Sequence, residues 1–252
     1  MTVVDLNSDL GEGFGAWRLG DDEALLDIVT SANVACGFHA GDPSIMRRVC
    51  GAAVARGVAI GAQVSYRDLA GFGRRRIDMA ADELTADILY QLGALQAFAQ
   101  AAGDRVRYLK PHGALYNTAT VDSLQAGAIL DAVADFDPSM PVLALPGSVL
   151  ANLARDRDMS VIAEAFVDRS YRADGTLVGR SEAGSVLHDP ISIADRAVAL
   201  ARDGRVLAED GSVLALTPES LCVHGDNPGA VHIAQAVREG LIDAGVELVP
   251  FT

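Results

Sequence analysis

The chain has 252 residues, of which 50% are hydrophobic, 21% are charged and only 5% are aromatic. This length is typical of one α/β barrel and gives a core that needs no disulfide or metal for folding. Lys and Arg number 20 against 34 Asp and Glu, and the formal net charge of −14 disfavours binding to nucleic acid or to an anionic membrane surface.

Short apolar runs rich in β-branched residues recur along the chain and predict β-strands. The predicted strands lie at 3–6, 32–36, 58–62, 106–109, 142–145, 161–165 and 221–223, with a further one at 213–216. Several of these runs are apolar without alternation, which is typical of parallel strands buried on both faces.

Helical segments lie between these runs, and capping signals mark their ends. Asp-Pro or Asn-Pro pairs at 42–43, 189–190 and 227–228 place a capping side chain before a proline suited to the first helical turn. Asp21 or Asp22 begins a predicted helix over 23–31, and an acidic pair at 82–83 begins a long helix that ends near Gly103. Glycines at 57, 103, 204 and 240 mark predicted helix ends.

Strands that alternate with helices predict a parallel sheet with right-handed crossovers. No break in composition divides the chain, so we expect residues 1–252 to form a single β/α-barrel domain. An open, doubly wound sheet is the alternative fold. The irregular segment 65–78, rich in Gly and Arg, is predicted to be a functional loop.

Polar side chains follow most of the predicted strands. In chain order they are Asn7, Asp9 and Glu12; His39; Gln63; Lys110 and His112; Glu164, Asp168 and Arg169; and His224 and Asp226. Because the carboxyl ends of parallel barrel strands share one face, we expect these side chains to converge there.

Three of the five histidines, His39, His112 and His224, occupy equivalent places, each followed by a small residue. Near neutral pH an imidazole can exchange a proton, orient a water or bind a metal. Any one of them alone is more often a satisfied core residue, but three in register favour a site. His188 and His232, which lie at or inside helical segments, are interpreted as structural.

The charged residues are candidates either for structural ion pairs or for catalysis and ligand binding. Asp5 and Asp9 alternate on the first strand and share one face, and their burial requires partners that Lys110 or Arg169 could supply. Lys110 is the only lysine of the chain, and its place at a strand end favours a catalytic role. The three arginines at 74–76 form either a solvated loop or a clamp for a carboxylate or phosphate.

Several common motifs are absent. The chain has no P-loop, no GxGxxG after a strand, no GxSxG elbow and no HExxH, and the glycine-rich stretch 9–15 is only a weak phosphate-loop signal. Three scattered cysteines make neither a disulfide framework nor a thiolate zinc site. Without a secretory signal or a membrane-length apolar run, we expect a cytoplasmic protein.

Six segments together resemble the LamB/YcsF family of 5-oxoprolinase components. They are DLNSDLGEGFG, ANVACGFHAGDP, AIGAQVSY with the later GFGRR, YLKPHGALYN, EAFVDRSYRADGTLVGRSEAGSVL and LCVHGD. The resemblance implies a seven-stranded β/α barrel of the glycoside hydrolase/deacetylase type. It also implies ATP-dependent opening of the lactam of 5-oxoproline (pyroglutamate) to L-glutamate, with ADP and phosphate formed. ATP is then a co-substrate and 5-oxoprolinase subunits B and C are the expected partners, while a homo-oligomer stays open.

One position departs from the family pattern. Members often carry a histidine where this chain has Gln63. An amide oxygen is a poor ligand for soft divalent ions, so the change argues against a metal site copied from deacetylases. Gln63 can still hydrogen-bond a carbonyl or a water.

These residues support a mechanistic hypothesis. Lys110 and Arg169 would hold developing negative charge on phosphate or on the lactam oxygen. An acid among Asp9, Glu12 and Asp226, together with His39, His112 or His224, would activate the attacking water. Asn7, Gln63, Arg74, Glu164 and Asp168 are assigned to substrate or phosphate binding. The alternatives are a metal-dependent deacetylase or amidase with the same barrel, and a non-catalytic subunit that binds substrate or partners.

Overall fold

In the computed structural model, which describes residues 2–227 and 229–252, seven parallel strands close into a barrel, as predicted. The barrel strands are β1 Thr2–Leu10, β2 Ser31–Ala35, β3 Ala59–Val64, β4 Tyr108–Pro111, β5 Val142–Ala144, β6 Val161–Phe166 and β9 Ser220–Val223. Strand β9 pairs with both β6 and β1, and this pairing closes the sheet.

In the part of the chain that the structure describes, three short strands lie outside the barrel ring. β7 Arg205–Leu207 and β8 Val213–Ala215 form an antiparallel pair, and β10 Val246–Leu248 lies parallel to the start of β1. The strand predicted at 213–216 therefore exists but does not join the barrel. A tight turn with Gly211 at a φ of +85° returns it onto β7 as a surface hairpin, in which Leu207 and Val213 are largely exposed.

Helices fill the connections between the barrel strands. They are α1 Asp22–Leu26, α2 Pro43–Arg56, α3 Ala81–Ala102, α4 Gly113–Ala119, α5 Ser123–Phe136, α6 Val149–Asp156, α7 Pro190–Asp203 and α8 Ala230–Asp243. Asp21, Asp42 and Asp189 cap their helices as predicted, because each side chain accepts a hydrogen bond from a backbone N–H of the first turn. None of the helices in the described part of the chain has the length and apolar character needed to cross a bilayer.

Three predicted helix boundaries are wrong or not described. Helix α1 ends at Leu26 rather than at residue 31, because Ser31 already belongs to β2 and its hydroxyl bonds inside the barrel. Gly240 lies inside α8, where a Cβ would meet Ala194 at 3.3 Å and where its small size lets α7 approach. The predicted cap at Asn227 is wrong because the N-cap of α8 is Gly229, and the proline predicted for the first turn, Pro228, lies outside the described residues.

The two faces of the barrel strands have opposite character. Outward side chains such as Leu6 and Leu10 pack against the helices in one large apolar core. The interior is polar and buried, and its amino-terminal end is filled by Tyr108, whose ring contacts Phe251 at a centroid distance of 4.9 Å. A Cβ at Gly61 would lie 2.1 Å from the Tyr108 ring, so only glycine leaves room for this plug. The barrel therefore carries its polar groups along one internal axis toward the mouth.

Candidate active site

The carboxyl ends of the barrel strands surround a cavity of about 310 Å³. Its wall includes Asp9 from β1, Lys110 from β4, Phe166 from β6 and His224 after β9. Residues that are distant in the sequence thus meet at one mouth, as barrel topology requires. The volume is at the lower end of the range for ligand pockets and suits a small molecule.

Lys110 is the central cation of this mouth. Its Nζ lies 2.7 Å from Glu164 Oε1 and 3.2 Å from Asp9 Oδ1, and the side chain is only 2% exposed. Burial alone would lower the pKa of Lys110, but the two carboxylates hold it well above its usual range. In the same way, burial opposes the charge on Asp9, yet the charge of Lys110 keeps the pKa of that carboxyl below its ordinary value. The lysine and Asp9 are therefore charged at neutral pH.

Amide side chains connect Lys110 to the barrel interior. Asn33 Nδ2 donates to Asn7 Oδ1 at 2.7 Å and to Asp9 Oδ1 at 2.9 Å. The Tyr108 hydroxyl donates to Asn33 Oδ1 at 2.7 Å. Sequence reasoning did not select Asn33, although a lone amide inside the apolar run 32–36 is a signal for an inward polar position.

Asp5 lies one layer deeper than Asn7. Its Oδ1 accepts hydrogen bonds of 2.6 Å from the hydroxyls of Thr30 and Ser31, and its Oδ2 accepts one from Ser220. The expected pairing of Asp5 with a basic side chain is wrong, because its carboxyl oxygens accept hydrogen bonds from these hydroxyls instead. Burial raises the pKa of Asp5 to about 6.

His224 and Asp168 form a buried pair at the cavity wall. The imidazole Nδ1 lies 2.8 Å from Asp168 Oδ1, and the backbone N–H of His224 donates to Asp168 Oδ2 at 3.1 Å. Burial disfavours the charged form of Asp168, but the interaction with His224 lowers its pKa below the usual range. With Nδ1 donating to this carboxylate, Nε2 is the basic nitrogen of the ring. The arrangement suits a general base.

His39 and His112 stack on each other, with ring centroids 4.3 Å apart. His39 Nε2 lies 3.1 Å from Gln63 Oε1, and Gln63 Nε2 donates to Glu12 Oε1 at 3.2 Å. Burial lowers the pKa of His39 to about 4 and that of His112 well below its usual range. Both rings are therefore neutral. His112 lines the cavity with His224, whereas His39 lies fully buried behind His112 rather than on the wall.

Glu12, His39 and His112 offer donor atoms that all lie within 4.8 Å of one another. The Nδ1 atoms of the two histidines are buried and have no hydrogen-bond partner among the described residues. Two neutral imidazoles and a carboxylate are ligands that a first-row divalent cation accepts, so the residues fit such an ion. Gln63, however, already bonds to both His39 and Glu12. Burial, together with the charges of Asp9 and Asp226, raises the pKa of Glu12 well above its usual value.

The segment predicted as a loop at 65–78 is irregular and covers the two stacked histidines. Gly73 has a φ of +67°, and a Cβ there would lie 2.9 Å from His39 Cβ and 3.0 Å from His112 Nδ1. Its carbonyl accepts from the Ala114 N–H at 2.8 Å, and Ser65 Oγ donates to the His112 carbonyl at 3.1 Å. The loop therefore packs against the two histidines at position 73, where only glycine can be accommodated without strain.

The three arginines predicted as one basic patch point to different partners. Arg75 pairs with Asp68, and Arg76 pairs with Asp122. Arg74 pairs with Asp226 and lies over the Phe72 ring at 4.8 Å. Consecutive residues of an irregular loop point in different directions, so only Arg74 and Arg76 reach the cavity.

Two further arginines line the cavity from the segment between β6 and α7. Arg169 donates to the carbonyls of Ser185 at 3.1 Å and Val178 at 2.6 Å. The expected pairing of Arg169 with a buried acid of the first strand is not observed among the residues that the structure describes. Arg180, which sequence reasoning missed, lies 3.2 Å from Asp226. The sequence feature that could have indicated Arg180 is its position in the segment 164–187, one of the six segments that resemble the LamB/YcsF family.

Comparisons with known proteins identify the family of this chain. A profile of the LamB/YcsF family matches residues 4–252. A protein of Mycobacterium avium (strain 104), named as the A subunit of 5-oxoprolinase, is 62% identical over 251 residues, covering all of both chains. A protein of Streptomyces avermitilis with the same name is 57% identical and covers 99% of this chain and all of the relative.

Solved structures show the same relationship. The lactam utilization protein from Thermus thermophilus is 45% identical, covers 99% of this chain and all of its own, and superposes with a TM-score of 0.94. A T48 deacetylase solved with its substrate is 17% identical, covers 98% of this chain and 87% of its own, and has a TM-score of 0.52. The second similarity shows only a shared fold.

Proposed function

This chain belongs to the LamB/YcsF family, and from that premise we propose that it provides the lactam-opening site of a cytoplasmic, multi-subunit 5-oxoprolinase. The substrate is 5-oxoproline, the product is L-glutamate, and ATP is consumed to ADP and phosphate with subunits B and C as partners. The observation that carries the proposal is a buried lysine and a histidine–aspartate pair on the wall of one small cavity. The names of the relatives support the choice of a lactam.

The reaction balances with ATP and two waters. The lactam oxygen attacks the γ-phosphorus, the bond to ADP breaks, and the ring carbon becomes electrophilic. A first water adds to that carbon and loses a proton to a base. The ring C–N bond then breaks, the nitrogen takes up that proton, and a second water releases phosphate to leave the γ-carboxylate of glutamate.

Lys110 is the group that stabilises negative charge in this scheme. Two carboxylates keep it charged, and it lines the cavity with Phe166, whose ring centre lies 5.1 Å from its Nζ. A fixed cation in a dry site stabilises an oxyanion more strongly than it could in water. We assign it to the lactam oxygen and the phosphoryl group that this oxygen receives.

His224 is the base in this scheme. Asp168 holds its Nδ1, so Nε2 can take a proton from the attacking water and return it to the leaving nitrogen. Among the acids named from the sequence, Asp9 and Asp226 are charged and paired with cations, which makes them electrostatic partners rather than bases.

The test is a reconstituted complex of this chain with its candidate partner subunits, followed by glutamate release and ADP formation. Omission of 5-oxoproline, of ATP or of either partner should abolish glutamate release. His224→Asn should lower the turnover number by about 10²- to 10⁴-fold, which is the usual contribution of acid–base catalysis. The exposed His188 provides a control, and His188→Asn should leave the rate unchanged. Normal turnover in the His224 variant would refute the role of this residue.

A metal-dependent deacetylase or amidase is the second candidate, favoured by the three donor atoms of Glu12, His39 and His112. A divalent ion held there would act as a Lewis acid on an amide carbonyl. Protein purified without chelator would then contain a stoichiometric metal, and the variant His112→Ala would lose it. Metal-free protein with full ATP-dependent turnover would exclude this candidate.

The third candidate is a non-catalytic subunit that binds 5-oxoproline or holds its partners. Binding of 5-oxoproline to the isolated chain, with a turnover in the complex that is insensitive to His224→Asn, would favour it. A cavity with a buried lysine and a histidine–aspartate pair speaks against a pure scaffold.

A further inference from the structure

The lining of the cavity holds more positive than negative charge. Arg74, Arg169 and Arg180 all belong to it, in a chain whose formal net charge is −14. Asp226 is the only carboxylate that pairs with any of the three within the residues the structure describes, and it serves both Arg74 and Arg180. Two guanidinium groups therefore share one carboxylate, and the third, Arg169, pairs with none among the described residues.

Arg169 is the most unusual of the three. It is 4% exposed, and its hydrogen bonds go to two backbone carbonyls rather than to an acid. A buried cation with no hydrogen-bonded carboxylate is costly, and such a site gains free energy when an anion binds to it directly. Burial, with the nearby charges of Arg180 and Arg74, lowers the pKa of Arg169 to about 10, although the charge of Asp168 acts in the opposite direction.

Asp226 holds two of these arginines in place. It does not line the cavity, whereas Arg74 and Arg180 do. Its carboxylate contacts both guanidinium groups and leaves the cavity wall to their remaining N–H groups. This makes Asp226 a positioning residue for the cluster.

We propose that Arg169 and Arg180, with Arg74 beside them, form the subsite that binds the carboxylate of the lactam substrate. This inference rests on the proposed function and adds to it the group that recognises the acid. A planar guanidinium matches a carboxylate through paired N–H donors. The cavity of about 310 Å³ suits a small cyclic acid better than a nucleotide. The apolar side chains of Phe166 and Leu177 also line the cavity and can contact the ring.

The test compares two ligands of similar shape, one with a charged carboxylate and one with a neutral carboxamide in its place. Calorimetry on the chain, alone and in the reconstituted complex, should show that 5-oxoproline binds at least about 10-fold more tightly than its neutral amide, 5-oxoprolinamide. Arg180→Gln should weaken 5-oxoproline by about 10- to 100-fold, as expected for a charge-assisted hydrogen bond, and leave the amide unchanged. Arg180→Lys, which keeps the charge, should recover part of the loss.

Arg172 is the matched control. It lies in the same segment but is exposed and paired with Glu182 and Glu209. Arg172→Gln should not change the affinity for either ligand. Arg169→Gln should reproduce the effect of the Arg180 variant. If this buried substitution prevents folding, as judged by circular dichroism, the partly exposed Arg180 still decides the question.

The outcomes separate the subsite from the proposed function. If wild-type protein binds the acid and its amide equally, or if Arg180→Gln weakens both alike, the subsite is wrong and the lactam function stands. If Arg180→Gln weakens inorganic phosphate or ADP but not 5-oxoproline, the arginines serve the nucleotide and the subsite is overturned. If neither lactam binds to the chain or to the complex, the subsite and the proposed function both fail.

Discussion

The base and the mouth of the barrel interior are both polar and buried, but they differ in how completely their groups are paired. At the base, hydroxyls of Thr30, Ser31 and Ser220 use both oxygens of Asp5. At the mouth, the Nδ1 atom of His112 has no partner among the described residues, and neither has that of His39 directly behind it. A satisfied network fixes a structure, whereas an unsatisfied one leaves groups for a ligand.

Lys110 joins the two regions. Through Asn7 and Asp9 it belongs to the paired interior, and through the cavity wall it belongs to the mouth. A substitution at Lys110 should therefore affect both stability and activity. A substitution at the base of the barrel should affect stability alone.

The largest effect is expected at Lys110. Lys110→Met leaves Asp9 and Glu164 buried without their cation, which should lower the free energy of unfolding by about 3–5 kcal/mol. Glutamate release by the reconstituted complex should fall by about 10²- to 10³-fold because the oxyanion loses its stabilising charge. Urea unfolding and the turnover assay measure the two effects separately.

A surface ion pair provides the control for that substitution. Arg157 pairs with Asp131 at 2.7 Å, but both side chains are well exposed. Arg157→Met should change stability by less than about 1 kcal/mol and leave turnover intact. Equal losses for Lys110→Met and Arg157→Met would show that the buried network has no special role.

The next effect is expected at the loop over the histidines. Gly73→Ala places a Cβ against His39 and His112 at a positive φ, so we expect a loss of about 1–3 kcal/mol and a reduced turnover number. Gly147 also has a positive φ, of +79°, but a Cβ there meets nothing within 4 Å. Gly147→Ala should cost only about 1 kcal/mol and leave turnover unchanged. Loss of activity in both variants would show that backbone strain, and not contact of the Cβ with the histidines, reduces turnover.

The smallest effect is expected at the base, as a dependence on pH. Burial raises the pKa of folded Asp5 from 3.8 to about 6, so the folded state disfavours the charged form. The stabilisation of the folded state by protonated Asp5 is fully present below pH 3.8 and is lost as pH rises through about 6. Between about pH 5 and pH 8 this loss amounts to about 1.4 kcal/mol.

Asp5→Asn removes this titration. The difference in unfolding free energy between wild type and variant should therefore shift by about that amount, in favour of the variant, from about pH 5 to pH 8. Urea unfolding at both pH values measures it, and turnover per folded molecule should be retained. A difference independent of pH would show that Asp5 does not titrate in this range.

Much of this axis could be predicted from the sequence. The alternation of Asp5, Asn7 and Asp9 indicated one shared face of β1, and the structure places all three inside the barrel. The strand ends indicated Lys110 and His224, because parallel topology brings such ends to one mouth. The catalytic and binding roles of these residues stay predictions.

Other features could not be predicted from spacing. Strand alternation does not set the depth of a side chain, so His39 was expected beside His112 at the mouth and instead lies behind it. An irregular loop has no period, which is why the separate partners of the arginines at 74–76 and the approach of Arg180 to Asp226 needed the folded chain. The need for glycine at position 73 could not be predicted either, because it comes from the packing of the loop against His39 and His112.

A crystal structure with 5-oxoproline bound tests the central claim most directly. We expect the lactam ring in the cavity of about 310 Å³, with its carbonyl within hydrogen-bond reach of Lys110 or His224. The chain also has a cavity of about 460 Å³ beside Trp17 and Arg48, away from Lys110. Ligand bound there, with the cavity at Lys110 empty, would contradict the claim that the barrel mouth opens the lactam.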